Sequence, residues 1–422
     1  MFLRSFKLFL AALLAALLLA ACGNGEPAPA PTSLAVSPAE SSVTVTWDMK
    51  DGVEYWLFFG PTTYAPSSTA SMQAWFGLPG GNVILKTTSP YVVSGLPNDL
   101  SYSFSVNGRT NGGPGGPGAT PVAATARLAG ATWSAGATIG SGGDLRSLTW
   151  ATTTSADGLL SSTNYVAAGA AGALYTSSDG VSWNALNSAT SSNFNGAAYF
   201  GSFKLVGDGG VILLSTDAIT WNAQNSGTTQ NLYAISSNGL NLNVAVGANG
   251  TIITSADGTT WTPATATATS RDLYAVNYST LNGGTWLAVG AGGTMVKSTD
   301  GLNWSAVASG SNADLRGIGY GITSLTTGTG TYVAVGTGGT LLSSADGVAW
   351  AAQTLSSTST LNAVIMGSQF VAIGNAGVIF TSTDGLTWTP RSTGTNKDLY
   401  AITRGGLSYL AVGASGSNLL AK

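Results

Sequence analysis

The sequence of 422 residues contains no histidine, a single cysteine and only three glutamates. Those glutamates, Glu26, Glu40 and Glu54, all precede residue 55. Histidine is the commonest metal ligand and proton carrier near neutral pH, and glutamate is a frequent general base. We therefore expect no metal, no cofactor and no catalytic residue in the larger part of the chain.

Charge is also scarce. Charged residues make up 8% of the chain, against about 25% in an ordinary soluble domain. Lysine and arginine number 15 and the acidic residues 18, with no basic block, so the chain lacks the electrostatic attraction that nucleic acids require. Glycine, in contrast, supplies 58 residues, and 44% of the chain is hydrophobic. This composition favours a folded, turn-rich, all-β protein.

The N-terminus has the layout of an export signal. Arg4 and Lys7 precede an apolar run from Leu8 to Ala20. The run is too short to cross about 30 Å of hydrocarbon as a permanent helix. We therefore interpret residues 1–21 as a signal peptide that is removed.

The run ends in Leu19-Ala20-Ala21-Cys22, which resembles the lipobox of bacterial lipoproteins. That resemblance implies cleavage before Cys22 and attachment of a lipid that holds the protein to a membrane. With Gly23 next, it further implies sorting to the outer membrane or cell surface. The alternative is an ordinary signal peptide beside an incidental cysteine. Residues 22–32 are then the lipidated cysteine and a Pro/Ala tether.

Residues 33–127 alternate apolar and polar side chains in short runs separated by turn residues, which predicts half-buried strands. The stretch resembles a fibronectin type III β-sandwich. The resemblance rests on four residues: Trp47, Tyr55, Leu96 and Tyr102. Its connection from Thr62 to Leu85 is longer than usual, and it carries either binding residues or none. We expect this domain to act as a spacer.

Residues 128–422 are built from repeats. The string Ser-x-Asp-x-x-x-Trp occurs six times, and an apolar-x-Gly-x-x-Gly turn precedes each copy. The aspartates are Asp179, Asp217, Asp257, Asp300, Asp346 and Asp384, and the tryptophans are Trp183, Trp221, Trp261, Trp304, Trp350 and Trp388. We expect the aspartate to accept N–H groups of the following turn and the tryptophan to pack between sheets. Both roles are structural.

A seventh glycine turn, Val412-Gly413, has no box after it, whereas Ala129 to Trp133 has the spacing of a box without its aspartate. Seven units of about 42 residues suit four short strands each. We therefore predict a seven-bladed β-propeller over residues 128–422. Its last blade would pair inner strands between Asp398 and Ala421 with an outer strand around Leu128 to Ser134.

Boxes and glycine turns together resemble the BNR or Asp-box propellers, and within them the photosystem II stability/assembly factor-like family. That resemblance implies the propeller fold, and one role that it suggests is assembly of a membrane complex. Sialidases share the box. Such an enzyme would need an arginine clamp, which Arg146, Arg271 and Arg316 imitate, and a glutamate to activate its tyrosine, which this region lacks. A sialidase-like hydrolase acting on glycans is therefore a disfavoured alternative.

One position varies at the start of each unit's innermost strand. There a polar residue, an apolar residue and a variable residue are followed by a small one, as in Asp314-Leu315-Arg316-Gly317. Alternation along a strand places the two residues that flank the apolar one on the same side. The candidate ligand rim at this place comprises Arg146, Tyr233, Tyr274, Arg316 and Tyr400. The alternative is that they only satisfy turn backbone and one another between blades.

These patterns predict a non-enzymatic lipoprotein of the cell envelope. Its propeller would serve as a scaffold that binds a protein or a glycan. An assembly factor for a membrane complex is the nearest alternative.

Overall fold

The computed structural model describes residues 26–67, 72–154, 161–280, 283–324, 328–406 and 408–421. The predicted signal peptide and Cys22 lie outside these residues. The chain divides into two compact units, Met1–Leu128 and Ala129–Lys422. Both are built from antiparallel strands. Among the described residues, no helix combines the length and the apolar character of a membrane span.

The first unit consists of two sheets that enclose one hydrophobic core. One sheet has the order β1-β2-β5 and the other β4-β3-β6-β7. The strands are β1 Ala35–Ala39, β2 Ser42–Thr46, β3 Val53–Pro61, β4 Asn82–Thr87, β5 Tyr91–Ser94, β6 Ser101–Thr110 and β7 Val122–Thr125. Alternate residues of β3, such as Leu57, meet Val45 of β2 and Phe104 of β6 in this core. The unit is thus a β-sandwich.

The long connection after Thr62 covers the outer face of the second sheet. Its short 3₁₀ helix, Met72–Trp75, ends in a tryptophan that is 1% exposed. Trp75 packs against Trp56 and Phe58, the residues of β3 that point away from the main core. This part of the connection therefore forms a second small core, whereas Tyr64 and Phe76 of the same connection are exposed.

We expected a tether as far as Thr32, but its described part packs on the sandwich. Pro27 forms a β-bridge with Arg109, and the Thr110 hydroxyl donates to the carbonyl oxygen of Glu26 at 2.7 Å. Ala28 is 2% exposed, and the backbone of Thr32 donates to Asp48 at 2.7 Å. The sandwich therefore begins at Glu26, which shortens the tether at its C-terminal end.

The described residues of the second unit form seven four-stranded antiparallel sheets. They are sheet 1 (β9 Leu145–Thr154, β10 Ser161–Gly169, β11 Leu174–Ser177, β12 Asn184–Ala185), sheet 2 (β13 Phe194–Phe200, β14 Ser202–Gly207, β15 Ile212–Ser215, β16 Asn222–Gln224), sheet 3 (β17 Leu232–Ser237, β18 Asn243–Gly247, β19 Ile252–Ser255, β20 Thr262–Pro263), sheet 4 (β21 Leu273–Ser279, β22 Thr285–Gly290, β23 Met295–Ser298, β24 Ser305–Ala306), sheet 5 (β25 Leu315–Ser324, β26 Thr329–Gly336, β27 Leu341–Ser344, β28 Ala351–Ala352), sheet 6 (β29 Leu361–Met366, β30 Phe370–Gly374, β31 Ile379–Ser382, β32 Thr389–Arg391) and sheet 7 (β33 Leu399–Gly405, β34 Ser408–Gly413, β35 Asn418–Ala421, with β8 Trp133–Ala135).

Sheet 7 joins the two ends of this unit. Its outer strand β8 pairs with β35, with Ser134 opposite Leu420. The first strands of the sheets contact one another in sequence, and β33 contacts β9, so the contacts close into a ring. Hydrophobic clusters lie between neighbouring sheets, as where Val371 of sheet 6 meets Leu399 of sheet 7. The second unit therefore has the radial architecture of a β-propeller.

A tight 3₁₀ turn joins the second and third strands of each sheet. The turns span Ala170–Gly172, Asp208–Gly210, Ala248–Gly250, Ala291–Gly293, Thr337–Gly339, Asn375–Gly377 and Ala414–Gly416. Gly292 and Gly293 both have positive φ angles, of 58° and 74°. Glycine reaches this region without the steric penalty of a side chain, which explains the glycine pairs of the sequence.

Candidate functional site

The first strand of every sheet begins with the same irregularity. The first residue of the strand is apolar and fully buried, as Leu232 is in sheet 3. In sheet 3, Leu232 faces Gly247 and Ala234 faces Val246, so Tyr233 between them has no partner and forms a β-bulge. A bulge turns its side chain out of the regular alternation, and bulges are common beside binding sites. The bulged residues are Arg146, Asn195, Tyr233, Tyr274, Arg316, Asn362 and Tyr400.

A glycine at the end of the second strand allows each bulge. Gly336 has an extended φ of −168°, so it is not needed for its backbone angle. A Cβ at Gly336 would instead overlap the carbonyl oxygen of Asp314. That oxygen accepts the backbone N–H of Thr337 at 2.9 Å. The glycine therefore permits a close approach of two backbone segments at the rim.

The polar residue ahead of the bulge links neighbouring sheets. Asp314 of sheet 5 accepts, through Oδ1, the backbone N–H of Gly292 in sheet 4 at 2.8 Å. The same contact with the preceding sheet is made by Asp144, Asn193, Asn231, Asp272 and Asp398. For this residue the structural alternative holds, because its side chain satisfies turn backbone.

Three of the five candidate rim residues form one contact cluster. The ring centroids of Tyr233 and Tyr274 are 5.5 Å apart, and the Arg316 guanidinium carbon lies 5.5 Å from the Tyr274 centroid. They come from sheets 3, 4 and 5, which are neighbours. Both tyrosines are partly exposed and Arg316 is exposed. The cluster is therefore an accessible aromatic and cationic surface.

The remaining two rim residues lie on sheets 7 and 1. Arg146 forms an ion pair of 4.0 Å with Asp144, and both side chains are about two-fifths exposed. Arg146 acts electrostatically on Tyr400, so these side chains are near each other. Arg271, which the sequence also offered for an arginine clamp, lies outside the bulges and donates to the Gly292 carbonyl at 3.4 Å.

Asparagines at the bulges of sheets 2 and 6 separate the two groups. The amide of Asn195 donates to Asp208 at 2.8 Å and to the Leu232 carbonyl at 3.1 Å. The amide of Asn362 donates to Asn375 at 2.7 Å and to the Leu399 carbonyl at 2.8 Å. These two residues connect sheets, whereas the tyrosines and arginines remain available to a ligand. The ring is thus chemically uneven.

Burial raises the pKa of the rim tyrosines, and nearby aspartates add to the effect. For Tyr274 these aspartates are Asp314 and Asp272, and Arg316 acts in the opposite direction. The pKa values of Tyr233 and Tyr400 are also raised, first by burial. The phenols therefore stay protonated at physiological pH and can donate hydrogen bonds.

The Asp-box side chains serve their own turns. Asp179 Oδ1 accepts the backbone N–H groups of Val181 and Ser182, both at 2.8 Å. Ser177 donates to the same oxygen and accepts the N–H of Gly180. The backbone hydrogen bonds lower the pKa of Asp179 to about 2. Among the described residues, no three acidic or cysteine side chains come close enough to share a metal ion.

No family model matches the sequence, and no curated protein matches it. Solved structures do resemble it. YCF48 bound to D1 peptide matches with a TM-score of 0.55 and 16% identity, covering 68% of this chain and 94% of its own. YCF48 from Cyanidioschyzon merolae matches with a TM-score of 0.53 and 17% identity, covering 69% and 98%. A catalytically inactive virginiamycin B lyase from Staphylococcus aureus matches with a TM-score of 0.56 and 10% identity, covering 69% of this chain and 99% of its own. At identities this low, the structural similarity establishes the fold alone, which is that of a β-propeller.

Proposed function

We propose that this protein is a non-enzymatic recognition scaffold whose propeller binds a protein segment at the rim. The contact cluster of Tyr233, Tyr274 and Arg316 carries the proposal. Tyrosine and arginine are the side chains most often found at the energetic centre of protein interfaces. Here they offer ring faces, phenolic donors and a guanidinium on one accessible surface. One of the similar propellers is described as bound to a peptide, which agrees with a protein partner rather than a glycan.

The geometry does not favour a hydrolase. A tyrosine nucleophile needs an adjacent base or a lowered pKa, whereas the second unit contains no glutamate and burial raises the pKa of the rim tyrosines. The carboxylates of Asp272 and Asp314 accept turn N–H groups and are held there. We therefore place recognition ahead of glycan hydrolysis.

We further propose that each sheet of the ring is one blade, which gives seven blades, and that the first unit is a fibronectin type III domain. The strand orders β1-β2-β5 and β4-β3-β6-β7 support the second assignment, since they divide seven strands into sheets of three and four. Its role would be to hold the propeller at a distance from the membrane.

We propose that Cys22 carries the lipid that anchors the protein to the outer membrane or cell surface. The Leu-Ala-Ala-Cys sequence supports this proposal. Cells fed an alkyne fatty acid should label the wild-type protein and leave Cys22→Ser unlabelled. Labelling of the serine variant would refute the anchor.

Recognition at the rim is tested with the full chain in its host. Partners are captured by in-cell crosslinking, and the affinity of each is measured for wild type and for Tyr274→Ala/Arg316→Ala. We expect the double variant to lose at least tenfold in affinity. Lys297→Ala, on the third strand of sheet 4, is the matched control and should bind like wild type. Unchanged affinity of every partner for the double variant would refute the proposal.

An assembly role for a membrane complex is a special case of this function. It would be supported if the captured partner were a subunit of a membrane complex that binds this protein before the complex is complete and no longer binds it afterwards.

A further inference from the structure

The two ends of the ring differ in the apolar surface that they expose. Adjacent strands run in opposite directions, so the turns after the first and third strands lie at the end opposite the rim. We call this the lower end. Every large apolar side chain that is substantially exposed in the described part of the second unit lies there.

Five of these side chains occupy one position of the Asp box, two residues after the aspartate. They are Val181, Ile219, Leu302, Val348 and Leu386, from five different sheets, and their exposed fractions run from 37% to 63%. The backbone N–H of each donates to the box aspartate, so the turn fixes the direction of the side chain. The propeller therefore repeats an exposed aliphatic group around its lower end.

The other three lie in hairpins between first and second strands. They are Phe200, Leu240 and Ile322. Leu240 is 84% exposed, and a Cβ placed at its neighbour Gly239 would lie 3.4 Å from the Phe200 ring. A Cβ placed at Gly301, next to Leu302, would overlap the side chain of Leu242, so the two turns are adjacent. The apolar surface thus continues across sheets 2, 3 and 4.

Single exposed apolar residues are common on soluble proteins and have no meaning by themselves. Here, however, all eight large exposed apolar side chains in the described part of the second unit lie at the same end of the ring. At the rim end, built from the same repeats, the tyrosines are only partly exposed, and no large apolar side chain of the described residues is as exposed as these eight. Exposed apolar side chains gathered at one end of a molecule favour an interaction site at that end.

The charged groups at the lower end indicate the chemical class of its partner. Each apolar residue of the boxes lies beside a carboxylate, and backbone N–H groups keep the pKa of Asp179 and Asp346 low, so these groups stay ionised. The described lower-end turns contain no lysine or arginine, and the strands that adjoin them include Lys204, Lys297 and Arg404. Arg404 is partly buried and lies over the Tyr409 ring. Lys204, in the adjoining strand, is 2% exposed, and its ammonium donates to the carbonyls of Phe200 and Ser202. The surface is therefore apolar and acidic.

We propose that the lower end is a second interaction surface, and that its partner is a protein segment that combines aliphatic with lysine or arginine side chains. An anionic membrane would be repelled by the carboxylates, and a second copy of this chain would bring like charges together. Because this surface lies opposite the rim, the inference does not depend on the proposed function of the rim.

Binding is measured by fluorescence anisotropy with residues 23–422, which contain the whole described structure. The probes are three labelled peptides of equal length, built from Leu and Lys, from Leu and Glu, and from Ser and Lys. We expect the Leu/Lys peptide to bind most tightly. The variant Phe200→Ser/Leu240→Ser/Leu302→Ser should weaken its binding at least tenfold, while Tyr274→Ala/Arg316→Ala should not change it. The thermal unfolding of the triple variant is measured as well, and we expect a cooperative transition like that of the wild type.

Several outcomes would overturn the proposal. Equal binding of Leu/Glu and Leu/Lys peptides would indicate unspecific stickiness, and equal binding of Ser/Lys and Leu/Lys peptides would indicate charge alone. Binding to phosphatidylglycerol vesicles that the triple variant abolishes would identify a membrane surface instead. A dimer in sedimentation that the triple variant dissociates would identify a second copy of this chain.

Discussion

The guanidinium carbon of Arg316 lies 5.5 Å from the centre of the Tyr274 ring, and the two residues come from neighbouring sheets. A cation over an aromatic face is stabilised by the ring quadrupole by about 0.5–1 kcal/mol at exposed sites. The Tyr274 ring is thus close to both the Arg316 cation and the Tyr233 ring, whose centroid is 5.5 Å away. This relationship gives a test of the rim that needs no ligand.

Arg316→Gln should raise the pKa of Tyr274. Burial, Asp314 and Asp272 already raise it, and Arg316 is the neighbour that opposes them. Carbon-13 NMR of labelled tyrosine, titrated to alkaline pH, measures the change. Lys297→Gln removes one positive charge from sheet 4 and is the control, because it should leave the pKa of Tyr274 unchanged. An unchanged titration in Arg316→Gln would show that the two side chains are not in contact in solution.

Gly336→Ala should destabilise the propeller by about 2 kcal/mol or more, because the new Cβ would overlap the Asp314 carbonyl oxygen. Gly338→Ala is the control. That glycine has a φ of 66° but open space around its Cβ position, and Asn249 and Ala376 occupy the equivalent positions in other sheets. Gly338→Ala should lower the free energy of unfolding by about 1 kcal/mol. Chemical denaturation gives both values, and equal losses would contradict a steric role for Gly336.

Asp179→Ala should destabilise sheet 1 by about 1 kcal/mol, as the loss of a helix-capping side chain does. We expect a modest loss of stability because sheet 7 forms the same turn without an aspartate. There Ala129 occupies the aspartate position, and Trp133 still donates to the Gly130 carbonyl at 2.9 Å. Denaturant midpoints of Asp179→Ala and Asp179→Asn provide the measurement. The asparagine retains an oxygen acceptor and should lose less.

The box aspartates also set an acid limit to stability. Their folded pKa lies below the unfolded value, so the unfolded chain binds more protons between about pH 4 and pH 2. Their contribution is present above the unfolded pKa and is lost as the pH falls through the folded one. The wild-type unfolding midpoint should therefore fall over this range, with a shallower fall in Asp179→Asn. Parallel curves would contradict the assignment.

Lys204 should make stability rise with alkaline pH. Burial lowers its pKa from 10.5 to about 8, so above pH 8 the folded protein releases a proton that the unfolded chain still binds. The penalty of the buried charge is therefore present below pH 8 and disappears as the pH rises toward 10. Unfolding midpoints from pH 7 to 9.5 should increase in wild type relative to Lys204→Met. An equal pH dependence in both proteins would refute this interpretation.

The repeat spacing was sufficient to predict an all-β chain that ends in a propeller, because one tryptophan and one glycine turn recur in each unit. Matching the number of glycine turns to the number of boxes also predicted that β8 pairs with β35. The bulge at Tyr233 could not be predicted, since it depends on how near Gly247 comes to the Asn231 carbonyl. Composition likewise gave no sign that Trp75 would close over the sandwich, because a lone tryptophan in a loop has no periodicity.

The interaction of the rim with its partner is tested most directly by site-resolved photo-crosslinking. A photoreactive amino acid is placed in turn at each of the seven bulged positions in the full chain, and the crosslinked product is quantified in the host cell. We predict strong products at Tyr233, Tyr274 and Arg316 and weak ones at Asn195 and Asn362. Equal yields at all seven positions, or none at any of them, would contradict recognition by the rim.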